Sequence, residues 1–251
     1  MQSIVFESLR DAIRDEVPAA IAKVVSGPDA GSELLIVYPN TVLGGLGSPA
    51  ADESAGRTLR SMLRDGGTGL EEIDGRQVFL EAHLPPPHLV VIGAVHIAIP
   101  LVTFGQTLGF RTTVIDARAQ FATDERFPHA DRLIEAWPDE ALTQLNLHPG
   151  VAAVCLAHDP KFEDPAMEVL LRSDAGYIGA VGSRNTSSER RERLKAAGFS
   201  DEQLDRIHGP VGLNIGGKTP EEIALSIMAE IVAVRSGRDP RLAVAPAKAT
   251  T

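Results

Sequence analysis

A group of ionisable side chains follows an apolar segment near the middle of the chain. His158, Asp159 and Lys161 come directly after the run Val151–Leu156. An imidazole, a carboxylate and an ammonium group at such a position can bind a charged ligand or transfer protons. A structural role explains His158 equally well, so these residues indicate a candidate site without defining a reaction.

A glycine-containing turn precedes the first helix of the same region. In the dinucleotide-binding fingerprint G-x-G-x-x-G/A, Gly93 and Ala98 fit the first and third positions, and Val95 stands where the second glycine belongs. The Val95 side chain should obstruct a dinucleotide in its usual pose. The backbone at Gly93 and Ala94 and the free amides of the helix can still attract an anion, and His96 is a candidate to face the same cleft. A tight turn without a ligand is the alternative.

An acidic residue is predicted at the end of the second strand. Asp116 follows Gly93 at roughly the 20-residue spacing expected of an acid that holds ribose hydroxyls. Arg118, two residues further on, is within reach of a phosphate. The alternatives are a turn or cap role for Asp116 and a solvated Arg118.

Two later segments also contain groups that suit an oxyanion. Gly179 and Gly182 supply flexible backbone, while Ser183 adds a hydroxyl and Arg184 a fixed cation. Asn214 lies in a glycine-rich loop that offers further free amides before the last helix. We therefore predict that this whole set can contact a phosphate-bearing ligand.

Strands alternate with helices beyond the residues Pro85–Pro87. The strands are predicted at Leu89–Ile92, Thr112–Ile115, Leu133–Glu135, Val151–Leu156 and Tyr177–Val181. The helices are predicted at Ile97–Leu108, Pro138–Leu145, Pro165–Leu171 and Ser187–Ala197, with a last one that Thr219 caps. This alternation predicts a Rossmann-like, doubly wound parallel sheet in an α/β protein. The candidate residues would then meet at the carboxyl ends of the strands, where such sheets bind ligands.

The N-terminal part has a different pattern and predicts a smaller α+β domain. It contains a helix at Ser3–Val17, strands at Ala20–Val25 and Glu33–Tyr38, a glycine-rich bend at Val42–Gly47, a helix at Ala50–Arg64 and a hairpin turning at Asp74-Gly75. The proline run is the expected boundary because it favours a stiff, extended connection. We predict domains at residues 1–83 and 84–238 and a disordered tail at 239–251.

Composition restricts the classes of partner. The formal net charge of −10 argues against nucleic acid or an anionic membrane, since both require a basic surface. Cys155 is the single cysteine, which excludes an internal disulfide and a multi-cysteine metal site. No apolar run reaches the roughly 20 residues of a membrane span, and the N-terminal residues lack the pattern of a signal peptide. A cytoplasmic protein without a metal site is predicted.

A series of motifs resembles the C-terminal Rossmann domain of the XdhC/CoxI family, the xanthine dehydrogenase accessory proteins. They are Pro85-Pro86-Pro87, Gly93-Ala94 with His96, Phe121-Ala122-Thr123 with Arg126-Phe127-Pro128, Trp137-Pro138, His158-Asp159-Pro160-Lys161, Tyr177–Ala180 with Gly182-Ser183-Arg184, and Ile207–Leu213. They occur in consistent order over about 150 residues, from Leu84 to Arg235. As a set the motifs are specific, although no single one is.

The resemblance implies a non-catalytic maturation factor. Such a protein would bind the molybdenum cofactor, a molybdopterin that sometimes carries a nucleotide, and insert it into a molybdenum hydroxylase such as xanthine dehydrogenase or carbon monoxide dehydrogenase. It also allows a cysteine desulfurase as a second partner, and the fold allows a homodimer. Two departures are Val95 and the absence of a cysteine after the stretch Val42–Gly47, where the family commonly has one.

Two other functions remain open at this point. An NAD(P)-dependent oxidoreductase would need an unhindered pyrophosphate turn and a proton relay, for which His158 and Lys161 are candidates. A regulatory scaffold that kept the fold and lost its ligand would also explain Val95 and the missing cysteine.

Overall fold

A computed structural model describes residues 3–238, which form two compact units. The first contains residues 3–85 with His148–Gly150, and the second contains Pro86–Leu147 with residues 151–238. The predicted disordered tail at 239–251 lies outside the described residues.

The first unit is a five-stranded antiparallel sheet with two helices. Its elements are α1 (Ser3–Arg14), β1 (Ala19–Ser26), β2 (Glu33–Val37), β3 (Thr41–Gly45), α2 (Pro49–Asp65), β4 (Thr68–Ile73) and β5 (Arg76–His83). The strands lie in the order β3-β2-β1-β5-β4. Successive side chains of β1 point to opposite faces of the sheet, and each face packs against one helix. Ala20 and Ala22 pack in the core that contains α2, whereas Ala19 and Ile21 pack with α1.

One prediction for this unit is wrong and another is confirmed. The segment Val42–Gly47 is not simply a bend, because Thr41–Gly45 pairs with β2 as an edge strand. The two glycines of this segment have a low preference for strands, so the local pattern did not predict one. The strand forms because its backbone pairs with β2. The turn between β4 and β5 is as predicted, since Asp74 and Gly75 both have the positive φ that a tight hairpin requires.

The second unit is the predicted Rossmann domain. Its elements are β6 (His88–Ile92), α3 (Ala98–Thr107), β7 (Arg111–Ile115), β8 (Arg132–Ile134), α4 (Pro138–Leu142), β9 (Val151–Cys155), α5 (Pro160–Arg172), β10 (Tyr177–Ala180), α6 (Arg184–Ala196), α7 (Asp201–Leu204), β11 (Ile207–His208) and α8 (Pro220–Arg235). All pairings in this sheet are parallel, in the order β11-β10-β9-β6-β7-β8.

Helices cover both faces of this sheet. One face packs against α4, α5, α6 and α7, through residues such as Met167 and Leu194. The other packs against α3 and α8, through residues such as Leu101 and Ile227. Because both faces are covered, β6 and β9 consist almost wholly of buried apolar residues.

The structure extends several elements. Helix α5 begins at Pro160 rather than Pro165, since Asp159 caps its first turn and Pro165 is accommodated inside the helix. Helix α6 begins at Arg184, with Ser183 as its N-cap. The short β11 and α7 were not predicted. The capping box of Thr219 and Glu222 at the start of α8 is confirmed.

Candidate functional site

The strand order places a switch point beside β6. From β6 the chain continues outward through β7 and β8, and it then returns to the opposite side of β6 to form β9, β10 and β11. The connections that leave β6 and β9 therefore diverge to opposite faces. In open α/β sheets the resulting crevice is the usual place for a ligand.

A cavity of about 240 Å³ lies at this point of the second unit. It is lined by Ile92, Gly93, Val95, Ile115, Asp116, Ala117, Arg118, Pro138, Leu156, Ala157, His158, Asp159 and Phe162. The lining combines an apolar floor from the strand ends with a few ionisable side chains, as small-molecule sites do. We call it the switch-point cavity.

Asp116 joins two edges of the cavity. Its Oδ2 accepts a hydrogen bond of 2.8 Å from the Ala94 amide and another of 2.8 Å from Nη2 of Arg118. Its Oδ1 accepts from the amide of Arg118 at 3.0 Å and from Nε at 2.9 Å. The carboxylate, only 4% exposed, thus holds the turn after β6 and the loop after β7 together.

These contacts keep Asp116 ionised. Burial opposes its charge, but the guanidinium of Arg118 and the amides of Ala94 and Arg118 outweigh that effect and hold the pKa of Asp116 below its ordinary value. Arg118 therefore enters the cavity with its charge already balanced. It is still 41% exposed, so part of its guanidinium remains open to a ligand.

The turn after β6 needs its glycine for two reasons. Gly93 has φ +103°, and a Cβ there would lie 3.1 Å from the Ala157 amide nitrogen. Val95 lines the cavity, whereas the side chain of His96 is exposed and does not. Both residues precede Ala98, the first residue of α3, and their amides donate no hydrogen bond to any other part of residues 3–238.

Phe162 and Arg118 line one side of the cavity, and further rings and a cation outside the lining contact them. The Arg118 guanidinium lies 4.2 Å from the centre of the Phe121 ring and 5.9 Å from that of Phe162. Trp137 stacks on Phe162 with a centroid distance of 4.7 Å, and Lys161 Nζ lies 4.9 Å from the centre of the same ring. This side of the cavity therefore offers the Phe162 ring with the positive charge of Arg118 beside it.

The three candidate residues that follow β9 occupy different positions relative to the cavity. His158 and Asp159 are exposed and both line the cavity. Asp159 also caps α5, because its Oδ1 accepts a hydrogen bond of 3.1 Å from the Lys161 amide. Lys161 does not line the cavity, and it lies beside it through its contact with the Phe162 ring. Asp159 therefore both caps α5 and lines the cavity.

The remaining predicted residues do not line this cavity. Gly179 lies inside β10, where a Cβ would be 2.6 Å from Val211 Cγ2 and 2.8 Å from Tyr177 Cε1. Gly182 has φ +141° before the N-cap Ser183, whose hydroxyl accepts from the Thr186 amide at 3.1 Å.

Arg184 and Asn214 are also outside the switch-point cavity. Arg184 lines a second cavity of about 300 Å³ beside α6. Asn214 is exposed in the loop before α8 and lines neither of these two cavities. The order of the motifs along the chain could not reveal this division.

The aromatic residues in and beside the cavity were not predicted as part of the site. Phe121 and Trp137 occur in the motifs that carry the family resemblance, but Phe162 follows Lys161 without any signal of its own. The helix start at Asp159-Pro160 would have placed Phe162 in the first turn of α5, directed back towards the strand end.

Residues 3–238 contain no metal-binding cluster, since no three or more of their histidine, cysteine or acidic side chains are grouped to hold an ion. None of the helices in that range combines the length and the apolar character that a membrane span requires. Cys155 is buried in β9, and burial raises the pKa of its thiol to about 12.

The fold and the cavity define an α/β protein with a Rossmann sheet and a crevice at its switch point. The family model described as the XdhC Rossmann domain matches residues 89–231. The chain therefore belongs to the XdhC family, as its motifs predicted.

Individual relatives agree with this assignment. The chain is similar to a Bacillus subtilis (strain 168) protein named as a probable subunit of xanthine dehydrogenase, with 34% identity over 158 residues, which are 63% of this chain and 46% of that protein. It is also similar to the molybdenum cofactor insertion chaperone PaoD of Escherichia coli (strain K12), with 27% identity over 139 residues, 52% of this chain and 43% of PaoD. The matched regions thus span less than half of these relatives.

A solved structure resembles nearly the whole chain. It is the crystal structure of a protein described as a xanthine dehydrogenase from Bacillus halodurans, with a TM-score of 0.63 and 26% identity. The match covers 96% of this chain and 69% of that one. Both units of the chain therefore have a counterpart in that structure.

Proposed function

We propose that this protein binds the molybdenum cofactor in the switch-point cavity and delivers it to a molybdenum hydroxylase. The observation that carries the proposal is the cavity itself, which combines an aromatic ring, an apolar floor and a half-exposed arginine in a member of the XdhC family. The role that one relative's name states, cofactor insertion, is the role we infer for this chain.

The chemistry of the lining fits part of that ligand. A pterin is a flat, polar, aromatic ring system, and the Phe162 ring and the strand-end residues Ile92 and Leu156 offer it apolar surface. The cavity of about 240 Å³ is smaller than the roughly 300–1,000 Å³ of pockets that enclose a drug-sized molecule. It therefore suits the ring system, with the rest of the ligand outside.

The anionic part of the ligand belongs at the rim. The cavity lining already contains two carboxylates, Asp116 and Asp159, against one cation, Arg118. A phosphate is better placed at the start of α3, where the amides of Val95 and His96 have no acceptor within residues 3–238 and the helix dipole favours negative charge. The exposed position of His96 is compatible with such a contact.

The geometry favours this ligand over NAD(P). Val95 lines the cavity at the position where the fingerprint has its second glycine, so it leaves less room for a pyrophosphate crossing this turn than for the single phosphate proposed at the start of α3. The four hydrogen bonds that Asp116 accepts from Ala94 and Arg118 all come from the chain itself, so a ribose would have to displace some of them. A cytoplasmic location, a cysteine desulfurase partner and a homodimer stay predictions.

The test is calorimetric titration of the full chain, under anaerobic conditions, with molybdopterin cofactor, NAD and NADP in separate experiments. We expect the cofactor to bind and Arg118→Gln and Phe162→Leu to weaken it by about tenfold each, the effect of losing one charge-assisted or aromatic contact. Arg57→Gln is the matched control, since Arg57 is an exposed arginine on α2 and its loss should leave the affinity unchanged. Arg184→Gln, in the other cavity, is measured beside it.

The contrary outcomes are distinct. Binding of NAD or NADP without cofactor uptake would replace the chaperone with an oxidoreductase. Binding of none of the three would leave a scaffold that has lost its ligand. Cofactor binding that is lost in Arg184→Gln and kept in Arg118→Gln would move the site away from the switch point.

A further inference from the structure

We propose that the second cavity, between α6 and the segment after β11, binds a small phosphate monoester independently of the switch-point cavity. It is lined by Arg184, Ser187, Ser188, Arg190, Arg191, Leu204, Ile207, Gly209 and Pro210. With about 300 Å³ it has room for a phosphate and a small organic group. We call it the α6 cavity.

Two buried donors in this cavity have no acceptor. Arg190 is 2% exposed, and its Nη1 has no hydrogen-bond partner within the described chain. The Ser187 hydroxyl oxygen is also buried and also without a partner there. Buried polar groups are normally satisfied, and each unsatisfied one reduces stability. Two neighbouring donors without an acceptor therefore indicate a place for an anion.

Gly209 packs directly against both donors, so a side chain at this position would crowd them. A Cβ at Gly209 would lie 3.1 Å from Ser187 Oγ and 3.2 Å from Arg190 Nη1. Both donors thus approach the same point of the cavity wall. Since Gly209 does not have a left-handed φ, its backbone conformation alone does not explain the missing side chain.

The other atoms of Arg190 are fixed by the protein. Its Nε donates to the buried Glu163, and its Nη2 donates to the Val181 carbonyl at 2.7 Å. Nη1 is therefore held in place rather than free to turn towards water. Arg191 is fixed in a similar way, by Asp201 and Asp205 at 2.9 Å each.

The positive charge of Arg184 is not balanced by an acidic side chain within residues 3–238. Its side chain is exposed in the first turn of α6 and makes no ion pair or hydrogen bond within residues 3–238. Glu163 balances Arg190, and Asp201 with Asp205 balance Arg191. One uncompensated guanidinium beside two buried donors suits the tetrahedral oxyanion of a phosphate, and the Ser188 hydroxyl stands on the same helix.

The first probe is inorganic phosphate, followed by glycerol 3-phosphate, titrated into the full chain by calorimetry at low ionic strength. We expect both to bind, and we expect Arg184→Gln to weaken each by about tenfold or more, as loss of a charge-assisted contact does. Arg57→Gln is the control for general charge, because Arg57 is an exposed arginine on α2. Arg57→Gln should not weaken binding, and Arg118→Gln shows whether the switch-point cavity takes up the phosphate instead.

Ser187→Ala separates a binding role from a structural one. The variant replaces an unsatisfied buried hydroxyl by hydrogen, so without phosphate its Tm should be equal to or above that of the unmodified chain. With phosphate, the rise in Tm seen for the unmodified chain should be reduced. No phosphate binding by the unmodified chain would overturn the proposal. An equal loss of phosphate affinity in Arg57→Gln and Arg184→Gln would also overturn it. So would a loss of phosphate affinity in Arg118→Gln that Arg184→Gln does not show.

Discussion

Asp116 Oδ2 accepts a 2.8 Å hydrogen bond from the Ala94 amide and thereby ties the end of β7 to the turn after β6. This carboxylate was expected to hold a ribose. In the structure it holds the protein's own backbone and Arg118, and so it fixes the shape of the switch-point cavity. Its contact with a ligand stays a prediction.

Asp116→Asn should therefore destabilise the Rossmann unit. The amide side chain cannot accept all of the hydrogen bonds that the carboxylate accepts, and we expect the free energy of unfolding to fall by about 1–3 kcal/mol. Denaturation in urea at pH 7 measures this. Asp124→Asn, which changes an exposed aspartate, is the matched control.

The same variant should also change the acid sensitivity. The folded pKa of Asp116 lies below its unfolded value, so its contribution is full above about pH 4 and is lost as the pH falls through the folded value. The loss of stability in acid should be smaller in Asp116→Asn than in the unmodified chain. An equal loss would contradict the role of this carboxylate.

Gly179→Ala tests whether this glycine is needed for packing. The added Cβ would lie 2.6 Å from Val211 Cγ2, so we expect a loss of about 1–3 kcal/mol from overpacking, measured by urea denaturation. Adding Val211→Ala to this variant should restore part of the lost stability. Gly69→Ala is the control in β4, where a Cβ would meet nothing within 4 Å. If Gly179→Ala is as harmless as Gly69→Ala, the packing explanation is wrong.

Tyr177→Phe should weaken a buried polar network. The Tyr177 hydroxyl donates to Glu230 Oε2 at 2.5 Å, and the Gly212 amide donates to the same oxygen at 2.8 Å. Burial opposes the charge of Glu230, but His208, Tyr177 and the Gly212 amide lower its pKa overall. We expect a loss of about 1–3 kcal/mol at pH 7.

The pH dependence identifies the cause of that loss. Because the folded pKa of Glu230 is lowered, its ionised form stabilises the fold above about pH 4.3, and this contribution disappears as the pH falls through the folded value. The difference between Tyr177→Phe and the unmodified chain, measured in urea, should shrink in acid. A difference that stays constant would exclude an effect through Glu230.

Cys155 should be unreactive in the folded protein. Its thiol is 1% exposed and burial raises its pKa to about 12, so neither access nor thiolate is available near neutral pH. An aromatic disulfide reagent at pH 8 should label no thiol in the native chain and one per chain after unfolding. Rapid labelling of the native chain would show that β9 opens.

Arg190→Met should be among the more destabilising single changes. It leaves the carboxylate of Glu163, which is 1% exposed, without its buried partner, and we expect a loss of about 3–5 kcal/mol in urea denaturation. Replacing both residues, as Glu163→Leu with Arg190→Met, should recover much of that loss. A double variant less stable than Arg190→Met would mean that the pair itself stabilises the fold.

Local signals predicted most of the Rossmann unit. The strands β6, β7 and β9 lie within one or two residues of their predicted bounds, because strands buried on both faces are short apolar runs. The cap of α8 at Thr219 was recognisable for a similar reason, since its hydrogen bonds involve residues three positions apart. Strand β3 was missed because its pairing with β2 is not a local property.

The sequence by itself determined the fold class, the family and the position of the candidate residues at strand ends, because apolar periodicity, capping and motif order are properties of neighbouring residues. Only the tertiary structure decided which of these residues meet. It placed Asp116 against Ala94, assigned Gly179 to packing and put Arg184 in the α6 cavity. The physical reason is that contacts between distant segments depend on strand order and on the distance between backbones, which no local pattern encodes.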